Sequence, residues 1–223
     1  MSIVGSLVSC FAETGLAGGY AAYEEWLNGV VEHEAMVREI FVESPLAHPS
    51  VTFRRAEILG LGGYRDRGWP EDYDLWLRAA ATGLRFAKVR EVLLYWRDHP
   101  ARHSRGDARY GADAFMRCKA FHLAAGPCRN RREVLVWGAG KVGRRLRKYL
   151  EAEGLHVMAF VDIDPEKVGR RVRGAPVVTP AALADFGARL VITAVGSRGA
   201  RELIRSRLVA MGRREGTDFL CAA

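Results

Sequence analysis

Apolar positions change their period along the chain, and those changes mark out its elements. Ile3 to Phe11 alternates loosely and is bounded by Glu13-Thr14-Gly15, the pattern of a strand. From Tyr20 to Phe41 the apolar residues Tyr23, Trp26, Leu27, Val30, Val31, Met36, Val37 and Ile40 recur at three- and four-residue steps. That spacing predicts one long or two short amphipathic helices with Glu-rich outer faces. The aromatic residues there are core by the usual inward packing of such a stripe, or a platform for a sugar. Leu46 to Phe53 reads as a loop then a strand, and Arg55 to Leu61 as a short helix closed by Gly62-Gly63. Pro70 suits a helix start, Tyr73, Trp76, Leu77, Ala80 and Ala81 follow at helical spacing, and Gly83 ends the run. Arg85 to Lys88 and Val92 to Trp96 give one or two strands, and Asp107 to Ala124 a helix. Gly126-Pro127 stops that helix, and the charged run to Arg132 makes residues 126–132 a linker.

Beyond the linker the pattern alternates strand with helix. Glu133 to Trp137 is a short apolar run feeding Gly138-Ala139-Gly140-Lys141-Val142-Gly143. A helix from about Lys141 to Glu153 ends at Gly154, and His156 to Asp162 is a strand ending in an acid. Strand, G-x-G-x-x-G, helix, strand and acid in that order predict a Rossmann-type βαβ unit. One glycine permits the tight turn, one lets the backbone approach a phosphate, and one lets helix pack on strand. Gly138, Gly140 and Gly143 are therefore candidate cofactor-binding residues. Asp162 is either a ribose ligand or the cap of a turn before Asp164-Pro165. Strands at Val177-Val178, Leu190 to Val195 and Asp218 to Cys221, with helices from Thr179-Pro180 to Phe186 and Ala200 to Met211, complete the unit. The fold class expected is α/β: a domain over 1–125, then a small doubly wound Rossmann-like domain over 133–223 with about five mostly parallel strands. Only about one and a half mononucleotide-binding halves fit there, so a nucleotide sugar competes with NAD(P) as the ligand.

Composition narrows the classes. With 49% hydrophobic and 27% charged residues, the 223-residue chain reads as a folded protein with a real core, not a disordered one. No apolar run reaches the ~18 residues of a membrane span, and Met1 to Phe11 lacks the basic leader of a signal peptide. Cys10, Cys118, Cys128 and Cys221 are scattered and predict free thiols in a reducing cytoplasm. Charge is uneven: residues 1–128 hold 15 Lys and Arg against 16 Asp and Glu, residues 129–223 hold 19 against 10. The basic half fits a phosphate-bearing ligand or an anionic membrane surface, or carries arginine only as solubilising charge. No pattern for specific nucleic-acid recognition accompanies it.

Glu71, Asp72 and Asp74 crowd the first turn of the helix behind Pro70. They complement the helix dipole, or one of them is a carboxylate held ionised at a crevice to take a proton from a hydroxyl. The segments around them run in a set order. Ser44-Pro45-Leu46-Ala47-His48-Pro49-Ser50-Val51 comes first, then Gly62-Gly63-Tyr64, Glu71-Asp72-Tyr73-Asp74-Leu75-Trp76-Leu77-Arg78, and Leu94-Tyr95-Trp96-Arg97-Asp98-His99. This order resembles the acceptor-side half of the family 2 inverting glycosyltransferases, of GT-A type, over residues 1 to 125.

The resemblance implies transfer of a sugar from a nucleotide-sugar donor to a hydroxyl of a glycan or lipid-linked acceptor, in cell-surface polysaccharide or glycoconjugate synthesis. It makes Asp72 the base and Glu71 its partner in orienting substrate. His48 and Ser50 line the acceptor side, Arg97 supplies positive charge, and His99 lies near the divalent metal, Mg or Mn, at the diphosphate. Substitution is then expected to hurt most at Asp72, less at Glu71 and little at Asp74. The donor-binding strands and the Asp-x-Asp motif of the family have no counterpart in residues 1–70, so a missing N-terminal half is expected and the chain alone is expected to be inactive. The alternatives are a non-catalytic nucleotide-binding regulatory module and an NAD(P)-dependent oxidoreductase. A cytoplasmic location, free or membrane-peripheral, completes the expectation.

Overall fold

A computed structural model of the chain describes every residue except Thr14, Leu16, Ala17 and Pro100, and the side chain of His103. Thr14, expected at the end of the first strand, lies outside the described residues. The chain forms two compact units, Met1–Phe115 and Met116–Ala223. Their division falls inside a helix, Ala112–Ala125, ahead of the 126–132 segment where the sequence pattern changes.

In the first unit, strand β1 (Ile3–Phe11) leads to helices α1 (Gly18–Gly29) and α2 (His33–Glu39), so the Tyr20 to Phe41 periodicity resolves into two helices. A 3-10 turn (His48–Ser50), strand β2 (Thr52–Phe53) and helix α3 (Arg55–Gly60) follow. Helix α4 (Glu71–Ala81) and strand β3 (Phe86–Arg97) come next. Helix α5 (His103–Gly106) follows, and the expected helix from Asp107 to Ala124 is broken into a 3-10 turn (Ala108–Tyr110) and helix α6 (Ala112–Ala125).

The sheet order is β2-β1-β3, with β2 antiparallel and β3 parallel to β1. Ser6 pairs with Val89 and Leu7 with Val92, so Arg90 and Glu91 form a bulge in one continuous β3. Beyond it, Leu94 and Trp96 pack with Val8, Cys10 and Leu27 against Tyr20, Tyr23 and Trp26 of α1, which are partly buried. Side chains of α1 stand in for a further strand along β1. The Asn28 amide exchanges two hydrogen bonds with the Val8 backbone (2.9 and 2.8 Å), and Glu24 accepts from Cys10 N at 2.8 Å. Residues four apart on a helix share a face, so both reach the same strand edge.

Lys88 is buried between these layers and donates from Nζ to the Leu27 carbonyl near the end of α1. Burial pushes its pKa down to about 7. The folded unit therefore binds this proton less tightly than the unfolded chain does. Unfolding takes the proton up between about pH 7 and the ordinary lysine value, and stability should rise with pH across that window. Lys88→Met is expected to stabilise the first unit by on the order of 1–3 kcal/mol at neutral pH and to flatten this dependence. Urea unfolding at about pH 7 and pH 9.5 measures both effects. A variant less stable than the parent at both values would show that the carbonyl contact outweighs the burial cost.

In the second unit, strand β4 (Glu133–Trp137), helix α7 (Lys141–Ala152) and strand β5 (His156–Val161) form the expected βαβ element. Strands β6 (Arg171–Val172) and β7 (Ala175–Val178) follow, then a 3-10 segment (Pro180–Phe186) where an α-helix was expected. Strand β8 (Leu190–Thr193), helix α8 (Ala200–Ala210) and strand β9 (Phe219–Cys221) end the chain. The sheet order is β6-β7-β5-β4-β8-β9. Five strands are parallel; β6, unanticipated from sequence, is a two-residue antiparallel edge paired with β7. The parallel strands read third, second, first, fourth, fifth in chain order, the doubly wound arrangement whose order reverses between β4 and β8. All four described cysteines are buried free thiols. No described helix is long and apolar enough to cross a membrane.

Candidate functional site

Helix α4 sends its three first-turn acids in three directions. Asp74 points inward and is fully buried, accepting from Arg78 Nε at 2.8 Å and from Trp69 Nε1 at 3.2 Å. The same guanidinium donates to the Leu61 and Gly63 carbonyls, at 2.8 and 2.7 Å, and so fastens the 61–63 loop to the helix. Glu71 is held by the Tyr110 hydroxyl, which reaches its two oxygens at 2.9 and 2.8 Å. Asp72 faces a cleft.

That cleft, about 550 Å³, lies within the first unit and is lined by His48, Asp72, His99, Arg102, Trp96 and Tyr110, with Tyr20 and Tyr23 among its other walls. Its volume is in the range of small-molecule sites. Asp72 is only 16% exposed, with Oδ2 at 3.8 Å from His48 Nδ1. Burial raises its pKa; the His48 ring and the Tyr73 N–H, which donates to Oδ1 at 2.7 Å, pull the other way, and the Glu71 charge adds to the rise. A carboxylate whose proton affinity is raised is a stronger base toward a substrate hydroxyl than an exposed one. His48 is oriented from its other side, with Nε2 at 2.9 Å from the Tyr64 hydroxyl. Desolvation beside Asp72 and Glu71 raises the Tyr64 pKa, so this hydroxyl stays neutral.

Of the candidates drawn from sequence, His48, Asp72 and His99 meet in this cleft, and Glu71 stands behind Tyr110. Ser50 does not line it. Its hydroxyl donates to the Ala47 carbonyl at 2.8 Å and accepts from Ser6 N at 3.4 Å, closing the 3-10 turn onto β1. Arg97 does not line it either. Strand alternation places Trp96 on the α1 face and Arg97 on the other, where it is 56% exposed and 3.8 Å from Glu13. Arg102 and Tyr110 are the residues sequence reasoning missed. Tyr110 meets Glu71 across 39 positions, with no local pattern to announce it. For a divalent metal, His99 belongs to no described group of three His, Cys, Asp or Glu side chains within ligand reach. One imidazole does not make a metal site.

A second cleft, about 680 Å³, lies within the second unit, lined by Gly138, Gly140, Lys141, Asp162, Lys167 and Arg207 among others. It opens between the ends of β4 and β8, where the strand order reverses and ligands of such sheets bind. The three glycines differ in what a side chain would meet. At Gly138, with φ at +118°, a Cβ would lie 2.7 Å from the Ala194 carbonyl oxygen. At Gly143 it would lie 1.8 Å from the Gly138 oxygen. At Gly140 it would meet nothing within 4 Å, and φ there is an ordinary −78°. Gly138 and Gly143 are thus needed by the fold, and Gly140 only leaves its side of the cleft bare. Asp162 holds the glycine turn: Oδ2 accepts from Ala139 N at 2.9 Å and Oδ1 from Asp164 N at 3.0 Å. Lys167 stands 3.5 Å from it and 3.0 Å from Asp164.

Comparison with known proteins finds one family model and several short local matches. Residues 130–216 match the family model described as C2185-like, N-terminal. Over 51 residues the chain is 41% identical to the UDP-Gal:alpha-D-GlcNAc-diphosphoundecaprenol beta-1,3-galactosyltransferase of Escherichia coli, covering 23% of this chain and 18% of that protein. Over 53 residues it is 36% identical to an uncharacterized glycosyltransferase of Haemophilus influenzae, covering 24% and 19%. Among solved structures, UDP-D-quinovosamine 4-dehydrogenase from Vibrio fischeri aligns with 36% of this chain and 71% of its own, at 26% identity and a TM-score of 0.33. The matched stretches span about a fifth of the length of these curated relatives, and over those stretches the chain is similar to glycosyltransferases.

Proposed function

We propose that the first unit is the acceptor side of an inverting glycosyltransferase, with Asp72 as its general base. The observation that carries this reading is Asp72 itself: sheltered in a cleft, steadied by His48, and with its proton affinity raised by burial. In the reaction an acceptor hydroxyl loses its proton to Asp72 as its oxygen attacks the anomeric carbon, and the bond to the donor's diphosphate breaks on the far side. The Tyr110 hydroxyl holds the Glu71 carboxylate, and the Tyr64 hydroxyl holds the His48 ring. Donors are nucleotide sugars. Acceptors are glycans or lipid-linked sugars, consistent with the lipid-diphosphate substrate in the name of the Escherichia coli relative. Cell-surface polysaccharide or glycoconjugate synthesis is the setting that fits. His99 alone does not fit a Mg or Mn site, and no step here runs through a metal.

The test is transfer of labelled sugar from UDP-, GDP- and dTDP-hexoses to a polyprenyl-diphosphate-linked sugar. The protein to use carries these 223 residues with whatever its gene encodes on either side. Transfer that disappears with Asp72→Asn supports the reading. Absence of transfer with every donor overturns it.

The second unit supports a separate reading as a nucleotide-binding module, because Gly140 keeps a cradle open that the fold itself does not require. NAD(P) and nucleotide sugars both match it. Binding without turnover marks a regulatory module. Consumption of reduced cofactor marks an oxidoreductase.

A further inference from the structure

We infer that Arg102 is the diphosphate-binding residue of the first unit's cleft. The inference rests on the transferase reading for the ligand's identity, and the geometry points to Arg102 in place of Arg97. Arg102 lines the cleft with His48, Asp72 and His99, and its side chain is only 12% exposed. Its guanidinium lies 4.3 Å over the Trp96 ring and 5.6 Å over Tyr20, and Nη1 donates to the Tyr20 hydroxyl. Asp98 stands 3.5 Å from it and takes a bidentate contact from Arg105, whose Nε lies at 2.9 Å. The hydrogen bond from Arg105, with the charges of both arginines, holds the Asp98 carboxyl below the usual range, so it stays ionised. Two guanidiniums on one carboxylate leave a net positive charge at a sheltered wall.

Such a residue matches a diphosphate for three reasons. A planar guanidinium donates two parallel hydrogen bonds to phosphate oxygens. Stacking on Trp96 and anchoring on Asp98 fix it in advance, so less freedom is lost on binding. Asp72 and Glu43 line the same cleft and repel an anion from their part of it. The ligand that fits is bipolar, a hydroxyl at Asp72 and a diphosphate at Arg102. Both a nucleoside diphosphate and a lipid diphosphate carry that chemistry.

The experiment is calorimetric titration of the whole chain, in metal-free buffer, with inorganic pyrophosphate, UDP and geranyl diphosphate. Every protein compared carries Gly140→Val, so that the glycine loop of the second unit is disabled. Arg102→Gln is expected to weaken pyrophosphate binding at least about tenfold, Arg102→Lys less, and Arg97→Gln under about twofold. Thermal unfolding accompanies each variant, and Arg102→Lys decides the outcome if Arg102→Gln fails to fold. A stronger Arg102 dependence for UDP assigns the residue to the donor, and one for geranyl diphosphate to the acceptor; either supports the inference. Equal binding by the parent and both Arg102 variants overturns it, as does a parent that binds none of the three at about millimolar concentration. Failure of the transferase reading shows elsewhere, in the transfer assay, with Arg102-dependent binding intact.

Discussion

Asp72→Asn should lower the rate of transfer by about 10²–10⁴-fold, the usual contribution of a general base, while donor affinity changes little. The variant should also be at least as stable as the parent, and this second effect separates the base from a structural acid. Burial raises the Asp72 pKa in the folded protein. A carboxyl with a raised folded pKa binds its proton more tightly folded than unfolded. Its ionisation therefore costs stability, and the cost appears as pH rises from the unfolded value through the folded one. Asparagine keeps an oxygen to accept from the Tyr73 N–H and removes the buried charge. A merely dipole-complementing acid behaves oppositely, losing up to ~1 kcal/mol of stability and no activity. Denaturant unfolding at about pH 7, set beside kcat in the transfer assay, reads both. Retention of more than about a tenth of kcat would reject Asp72 as the base.

The neighbouring acids give the controls, and the structure changes one of them. Glu71→Gln keeps a partner for Tyr110 and is expected to have an intermediate effect. Asp74→Asn looked mild from sequence, as a third acid in a helix's first turn. It instead halves a buried ion pair that fastens the 61–63 loop. Its expected effect is a loss of about 3–5 kcal/mol of stability, with activity falling only as the folded fraction falls.

Replacing Gly143 with alanine should unfold the second unit, whereas Gly140→Val should leave it folded and unable to bind nucleotide. A Cβ at Gly143 would sit 1.8 Å from a backbone oxygen of the glycine turn, and backbone cannot swing aside as a flexible side chain can. Either helix α7 moves off the sheet or the turn opens, and the expected cost is about 3 kcal/mol or more. At Gly140 the backbone is ordinary and the space is empty, so the fold tolerates valine and only a ligand meets it. Thermal unfolding followed by circular dichroism, with titration by NAD, NADP and UDP-sugars, measures both variants. A stable Gly143→Ala, or a Gly140→Val that binds like the parent, would contradict this division of roles.

The sequence alone determined the local elements and the second unit's plan. Period-two and period-3.6 runs, with Gly, Pro and strand-end acids, depend on contacts a few residues apart, and such contacts repeat visibly along a chain. The βαβ element around Gly138, Gly140 and Gly143, the helix behind Pro70 closed at Gly83, and the acids grouped in its first turn were all legible in this way. The short antiparallel strand Arg171–Val172 was not, because two residues carry no period.

Tertiary structure alone decided which side chains meet in the cleft. Glu71, Asp72 and Asp74 look equivalent in sequence, yet one meets Tyr110, one the cleft and one Arg78, because successive residues on a helix point about 100° apart. Arg97 and Arg102 are both cations after a Tyr-Trp pair, yet strand alternation turns Arg97 outward while Trp96, Tyr20 and Asp98 hold Arg102 at the cleft. Those partners lie up to 82 positions away, and only the packing of α1 on β3 brings them together.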